Sequence, residues 1–342
     1  MPGSRRRYWR LLRPVLGVLL IPGGLALPAA AAEPARALLE RMNEAAEHLP
    51  YEGTLVHLQG ADSSVLHIVR QLQDGHITER VSCEDAGRQI IRNDAAVTGI
   101  FPDQHAVLVE ARDGRQQPRS PLPDRLPGPA GIDDALYLLS FAAPERIAGR
   151  DTQGIVIRPR DGFRYGYRLW LDRATFLPLK TQLVDERGHV LEQILFTRIS
   201  VPAQVAAPPS AAVTSSAPAP PPAQGRNVPA GPPAAAAGDE WVVTQLPPGF
   251  RLAVRKARIT PGTAGSLRQV VYSDGLATVS LFVEPAVGAA EQAEGLSQMG
   301  AANAYTTTLN GHMITAVGEV PVRTVEMFAR SARIVDRPAS SR

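Results

Sequence analysis

Tyr165-Gly166-Tyr167-Arg168-Leu169-Trp170-Leu171-Asp172, followed by Leu177-Pro178-Leu179-Lys180-Thr181-Gln182-Leu183-Val184 and a further run from His189, decides the fold. Tyr165, Tyr167, Leu169 and Leu171 alternate with Gly166, Arg168, Trp170 and Asp172, the period of a strand with two unlike faces. The runs are separated by a turn at Arg173 to Phe176 and by Arg187-Gly188. They describe a meander of antiparallel strands. The pattern leaves open which face turns inward, because a slip of one residue exchanges the two. The stretch holds no nucleophile, metal or phosphate motif, so it points to binding on a sheet face rather than to catalysis.

Upstream, Arg5, Arg6, Arg7, Arg10 and Arg13 precede an apolar run from Val15 to Leu27, and Ala30-Ala31-Ala32 offers a small-residue cleavage site before Glu33. Residues 1–32 are expected to be an export signal, with a soluble mature chain beginning near Glu33. That run contains Pro22 and is shorter than the roughly 20 apolar residues of a membrane span. Of the 36 Lys and Arg against 33 Asp and Glu, five lie in this segment, so the mature balance is 31 against 33, about −2. Nothing in it suggests a nucleic-acid partner. Cys83 is the lone cysteine, which excludes an internal disulfide.

Pro34 to Leu49 predicts a helix with Ala37, Leu38, Met42, Ala45 and Leu49 on its apolar stripe. Extended runs follow at 51–58, 65–72, 76–82, 88–92, 96–101 and 106–111, with turn residues between them. Arg115 to Gly131 is a proline-rich interruption. Ile132 to Phe141 then reads as a short, very apolar helix, and the runs 145–149 and 154–158 lead into the meander, which ends near Val201. Residues 33–201 thus form one domain of about ten strands, a shape that can curl around an apolar ligand or be filled by its own side chains. Residues 202–238 contain ten prolines and read as a linker. Residues 239–337 predict a smaller α+β domain: strands through 251–259, 267–273 and 277–284, a helix at 289–298, a hairpin across Asn310-Gly311 and a final helix at 322–333. Residues 338–342 are a tail.

Seven histidines are present, none in a ligand spacing, and His57, His67 and His76 on successive strands are more simply solvent-facing than a metal site. Asp133-Asp134 suits a helix start, and no GxSxG or phosphate loop occurs. The chain is therefore not expected to be an enzyme or to need a metal or cofactor. Arg251, Arg255, Lys256, Arg258 and Arg268 form a basic cluster on the second domain, either a solvated strand face or a surface for an acidic peptide or anionic glycolipid.

The meander segments, with Leu246-Pro247-Pro248-Gly249-Phe250 and Val271-Tyr272-Ser273-Asp274-Gly275-Leu276-Ala277-Thr278-Val279-Ser280-Leu281-Phe282-Val283-Glu284, resemble the periplasmic sigma-E regulators called RseB or MucB. The linker is longer and richer in proline than that family's. The resemblance implies an α+β chain whose large domain is a curved antiparallel sheet closed by covering helices, a half-barrel similar to LolA and LppX, with a smaller α+β C-terminal domain. It implies a negative regulator of the sigma-E envelope stress response. Such a protein binds the periplasmic domain of a transmembrane, RseA- or MucA-like anti-sigma factor, shields it from site-1 proteolysis, and is released by a lipid or lipopolysaccharide fragment. A homodimer is expected too. On this reading Leu55, Val65, Val69, Leu136, Leu139, Leu169, Leu171 and Leu183 line an acyl pocket, and Leu171→Arg should block ligand action without unfolding. Arg251, Arg255 and Arg258 then hold the anti-sigma peptide or a phosphate. A periplasmic lipid or lipoprotein carrier of the LolA type, or a scaffold with a filled interior, are the other readings.

Overall fold

The computed structural model describes residues 29–73, 75–83, 87–93, 96–101, 106–111, 127, 131–202, 240–259, 266–286 and 294–335. Residues 1–28 of the expected 1–32 export signal, most of the proline-rich 115–131 loop, nearly all of the linker and the tail lie outside them. Helix α1 (Ala29–His48) begins a turn earlier than the pattern suggests, since the alanine run before Pro34 is itself a strong helix former. It buries Ala35, Leu39, Met42, Ala45 and Ala46, whereas Ala37 is exposed and Leu38 half-buried. The stripe is thus rotated from the one expected.

Nine strands follow: β1 (Tyr51–Gln59), β2 (Asp62–Gln73), β3 (His76–Cys83), β4 (Gln89–Arg92), β5 (Ala96–Phe101), β6 (Ala106–Ala111), β7 (Tyr137–Ala142), β8 (Arg146–Ile147) and β9 (Arg150–Pro159). The meander supplies β10 (Gly166–Asp172), β11 (Pro178–Val184) and β12 (Val190–Ser200). All twelve form one antiparallel sheet ordered β6-β5-β4-β3-β2-β1-β12-β11-β10-β9-β7, with β8 on β9. It gains a strand over the runs expected because residues 132–141 are not a helix. Asp133 instead caps a turn through the Ala135 N–H, and Tyr137 to Ala142 pairs with β9, Leu139 opposite Ile157 and Phe141 opposite Ile155. A six-residue apolar run satisfies either period, and here sheet pairing decides.

The second domain comprises β13 (Glu240–Val243), β14 (Arg251–Ile259), β15 (Ser266–Ser273), β16 (Thr278–Pro285), β17 (Gly295–Met299), β18 (Ala302–Leu309), β19 (His312–Gly318), α2 (Val322–Arg330) and β20 (Ala332–Val335). Six strands run β14-β15-β16-β19-β18-β17, and β13 pairs with β20. Residues 295–299, expected to close a helix at 289–298, are the edge strand β17; the rest of that segment is not described beyond Glu294. The last helix stops at Arg330, where the Ser331 hydroxyl bonds back to the Met327 carbonyl and the chain leaves as β20. Val325, Phe328 and Ala329 of α2 pack with Phe250, Tyr272, Val279 and Leu281 in a core of the domain's own.

The turn joining β10 to β11 is organised by one carboxylate. Asp172 accepts from Arg150 Nε and Nη2 at 3.0 and 2.7 Å, from the Thr175 hydroxyl at 2.5 Å and from the Thr175 N–H at 3.2 Å. Burial alone raises the pKa of this group, but the bonds from Arg150 and Thr175 outweigh it and hold Asp172 below its ordinary value. A depressed carboxylate stabilises the fold above its unfolded pKa, about 3.9, and that contribution disappears as pH falls through the folded value. Asp172→Asn should cost about 1–3 kcal/mol at pH 7, as expected for hydrogen bonds to a charge. In urea titrations the deficit should shrink steadily as the pH is lowered below about 4.

Candidate functional site

Residues opposite one another on neighbouring strands share a face. The register runs Ile155–Leu169–Thr181–Ile194–His57 across β9, β10, β11, β12 and β1, which places Leu169 and Leu171 on the face that α1 covers. Trp170 lies on the other face, where its indole N–H donates to the Ala143 carbonyl and Lys180 sits 4.1 Å over its ring.

Four of the expected pocket residues meet on the covered face. Leu136, Leu139, Leu169 and Leu171 form one buried cluster with Ala35, Leu39 and Met42 of α1 and with Ile132, Tyr137, Ile155 and Ile157. Leu136 belongs to the turn before β7 and Leu139 to β7 itself, rather than to a helix. Leu55 joins an adjacent cluster with Tyr51, Ile68, Val81, Ile194, Phe196 and Ala45 of α1. Leu183 packs with Tyr165 and Ala301, away from α1 and against the second domain. Val65 stands opposite Val56 and Val69 opposite Glu52, on the face that α1 does not cover. Those two positions are corrected by one residue: Leu66 and Ile68, not Val65 and Val69, share a face with Leu55. Among the described residues α1 is the sole helix over this sheet.

The clusters are closed. Leu169 is fully buried, and Leu139 and Leu171 are 1 % exposed. Leu171→Arg would thus bury an unpaired charge and unfold the domain, contrary to the expectation that the fold survives.

A second constellation joins the two domains. Arg164, between β9 and β10, and Asp274, in the turn between β15 and β16, both have side chains at 0 % exposure, and Arg164 Nη1 donates to Asp274 Oδ2 at 2.5 Å. Arg164 also donates to the Pro248 carbonyl at 2.6 Å and to Asp161 at 3.1 Å, and lies over the rings of Tyr137 and Phe250. The Tyr137 hydroxyl donates to Asp274 Oδ2 at 2.8 Å, while Asp274 Oδ1 accepts the N–H groups of Leu276 and Ala277. Burial, and then the Asp274 charge, push the Tyr137 phenol far above its ordinary pKa, so it remains a donor.

Around this pair, Asn303 donates to the Tyr165 hydroxyl at 3.0 Å, Thr324 to the Phe163 carbonyl at 2.8 Å, and Arg323 to the Gly162 carbonyl. Gly131 and Gly275 touch backbone to backbone, and a Cβ on Gly131 would meet the Gly275 carbonyl oxygen at 2.3 Å. Arg164, Asp274, Tyr137, Asn303 and Thr324 escape sequence reasoning, because partners 110 and 137 residues apart carry no local spacing signal. The one trace is that Asp274 falls within the quoted stretch from Val271 to Glu284 and Arg164 immediately precedes the one that begins at Tyr165.

Of the basic cluster, Arg251 and Arg255 are exposed on edge strand β14, Arg251 opposite Ser273 and Arg255 opposite the buried Val270, hence on different faces. The side chain of Arg258 lies outside the described residues. His57 bonds Glu192 at 2.7 Å and His67 lies 3.5 Å from Glu52, so the two belong to separate pairs. His76 opens β3 opposite Gln73, at the β2–β3 hairpin end.

The family descriptions match both domains: MucB/RseB N-terminal domain over residues 34–217 and MucB/RseB C-terminal domain over residues 235–333. The chain belongs to the MucB/RseB family. It is 33% identical over 330 residues to the sigma factor AlgU regulatory protein MucB of Pseudomonas aeruginosa, covering 92% of this chain and 96% of that one. It is 26% identical over 336 residues to the sigma-E factor regulatory protein RseB of Escherichia coli K12, covering 96% and 98%. Among solved structures, the Pseudomonas aeruginosa MucA/MucB complex aligns with a TM-score of 0.65 at 28% identity, over 89% of this chain and 100% of that one. The crystal structure of MucB aligns with a TM-score of 0.56 at 29% identity, over 89% and 99%. No helix among the described residues of this MucB/RseB family member is long and apolar enough to cross a membrane.

Burial separates the buried pocket leucines from exposed strand leucines energetically. Leu169→Ala should cost about 2–5 kcal/mol in urea unfolding, the range for a leucine deleted from a packed core. Leu252→Ala, at a position 41 % exposed, should stay within about 0.5 kcal/mol.

Proposed function

We propose that this chain is a periplasmic negative regulator of the sigma-E envelope stress response. It binds the periplasmic domain of a transmembrane, RseA- or MucA-like anti-sigma factor, keeps that domain from site-1 proteolysis, and lets go when a lipid or lipopolysaccharide fragment binds. The observation that carries this reading is the match of both domains, in order and over nearly the whole chain, to sigma-factor regulatory proteins, one of which is solved with MucA.

On this reading the ligand and the partner engage different parts of the chain. An acyl chain belongs between α1 and the leucine-rich face of β7, β9 and β10, where Leu136, Leu139, Leu169 and Leu171 converge. That space is filled in the present arrangement, so the ligand must displace α1. Among the described side chains that α1 buries, Ala35, Ala45 and Ala46 contribute little apolar area each, so the cost of lifting the helix falls chiefly on Leu39, Met42 and the Arg36 bonds to Ile132 and Asp134. A ligand that binds only the lifted state shifts the population by its differential affinity, which is how occupancy becomes a signal. Arg251 and Arg255 lie on opposite faces of edge strand β14, so an extended acidic segment of the anti-sigma factor added along that edge would meet one on each side. A LolA-type carrier would use the same apolar face, but such a role gives no account of the buried junction that fixes the second domain.

The test uses the mature protein and the periplasmic segment of the anti-sigma factor encoded in the same genome. Calorimetry should give a dissociation constant of micromolar or tighter, and saturating protein should slow site-1 cleavage of the segment at least tenfold. Absence of binding at micromolar concentration refutes the reading.

A further inference from the structure

Two features described above touch through a single element. The turn 131–137 contributes Ile132, Leu136 and Tyr137 to the apolar cluster beneath α1, and the same turn supplies the hydroxyl that binds Asp274. From the second domain, Leu276 packs against that cluster two residues after Asp274. The fit leaves no slack. Gly249 has φ +82, and a Cβ placed on it would stand 2.2 Å from the Leu136 side chain; Gly131 and Gly275 already touch. A packed interior passes displacement on rather than absorbing it. A chain that lifts α1 and lies beside Leu136 and Leu139 also takes the place of the helix side chains that hold the 131–137 turn, and that turn cannot shift without the loops carrying Gly249 and Asp274.

Burial gives the ion pair a switch-like character. Arg164 and Asp274 have no solvent to fall back on, so the pair is favourable only while its whole set of partners is in place: Tyr137, Pro248, Asp161 and the Leu276 and Ala277 amides. Partial loss is worse than full separation, in which water rehydrates both charges. The domain junction is thus closed or open, with no favourable intermediate.

We propose that Arg164–Asp274 is an interdomain latch linked through the Leu136–Tyr137 turn to the apolar core under α1, so that the latched arrangement and an acyl chain beneath α1 exclude one another. The linkage deepens the acyl-ligand reading given above and rests on it, whereas the latch stands on the junction alone.

The test uses the full mature chain in a Cys83→Ser background, spin-labelled at the exposed Leu72 and Val335 positions for pulsed dipolar distance measurement. Unmodified at the junction, it should give one narrow interdomain distance. Asp274→Asn, which keeps an acceptor for the turn amides but removes the charge, should broaden and shift that distance, and so should Gly131→Ala, which wedges the junction without touching the pair. Tyr137→Phe, a milder change that keeps the packing, should populate the open distance in part. Each domain should retain its near-ultraviolet circular dichroism. With palmitoyl lysophosphatidylglycerol below its micelle concentration as probe, the unmodified junction should shift to the open distance. Asp274→Asn should bind that probe roughly tenfold more tightly, because the cost of unlatching is already removed. A narrow, unshifted distance in both Asp274→Asn and Gly131→Ala overturns the latch. Opening without a gain in probe affinity overturns the linkage. Failure of every variant to bind the probe overturns the acyl reading and the linkage with it, while the opened distances uphold the latch.

Discussion

Two opposite charges withdrawn from water at 0 % exposure, Arg164 and Asp274, set the relation between the two halves of this molecule. A guanidinium in a low-dielectric interior is tolerable only when its donors are all engaged, and those of Arg164 are divided among Asp161 of its own domain and Asp274 and Pro248 of the other. The β9–β10 connection therefore cannot satisfy itself within the first domain. Phe163 and Gly162 in the same connection give their carbonyls to Thr324 and Arg323, so the backbone as well as the charge relies on the second domain. Hydrophobic burial would hold the halves together in many registers. Directional bonds of this kind select one.

The apolar face beneath α1 works on a different principle. Its members come from β7, β9, β10 and the helix, and the side chains meet there through apolar contact; polar bonds to the helix lie at the margin, where Arg36 donates to the Ile132 carbonyl and to Asp134. Such a surface exchanges one apolar neighbour for another at small cost, which a surface built on matched hydrogen bonds cannot do. The molecule thus places an exchangeable apolar contact directly against an all-or-none polar one. Tyr137 belongs to both, its ring in the cluster and its hydroxyl on Asp274.

Where the sequence reading went astray, the cause was a local pattern with two solutions. Ile132 to Phe141 is too short for its apolar positions to separate a period of 3.6 from a period of 2, and the availability of β9 as a partner made it a turn and a strand. Val65 and Val69 are good strand residues, but β-propensity is indifferent to face; pairing of Leu55 with Leu66 put them on the uncovered side. Ala37 fits the expected helix stripe only because alanine is compatible with either side, and the larger Leu39 and Met42 set the true orientation.

Alternation, turn residues and composition determined by themselves most of the strands, the meander of β10 to β12, the hairpin at Asn310-Gly311, the separation into two domains, and the family resemblance, because each is encoded within a few neighbouring residues or in a stretch of uniform character. The tertiary structure alone decided which face of β10 is covered and that Arg164 and Asp274, 110 residues apart, share one buried site. Both depend on which distant surfaces exclude water together, and the free energy of that exclusion belongs to the assembled pair and to neither segment alone.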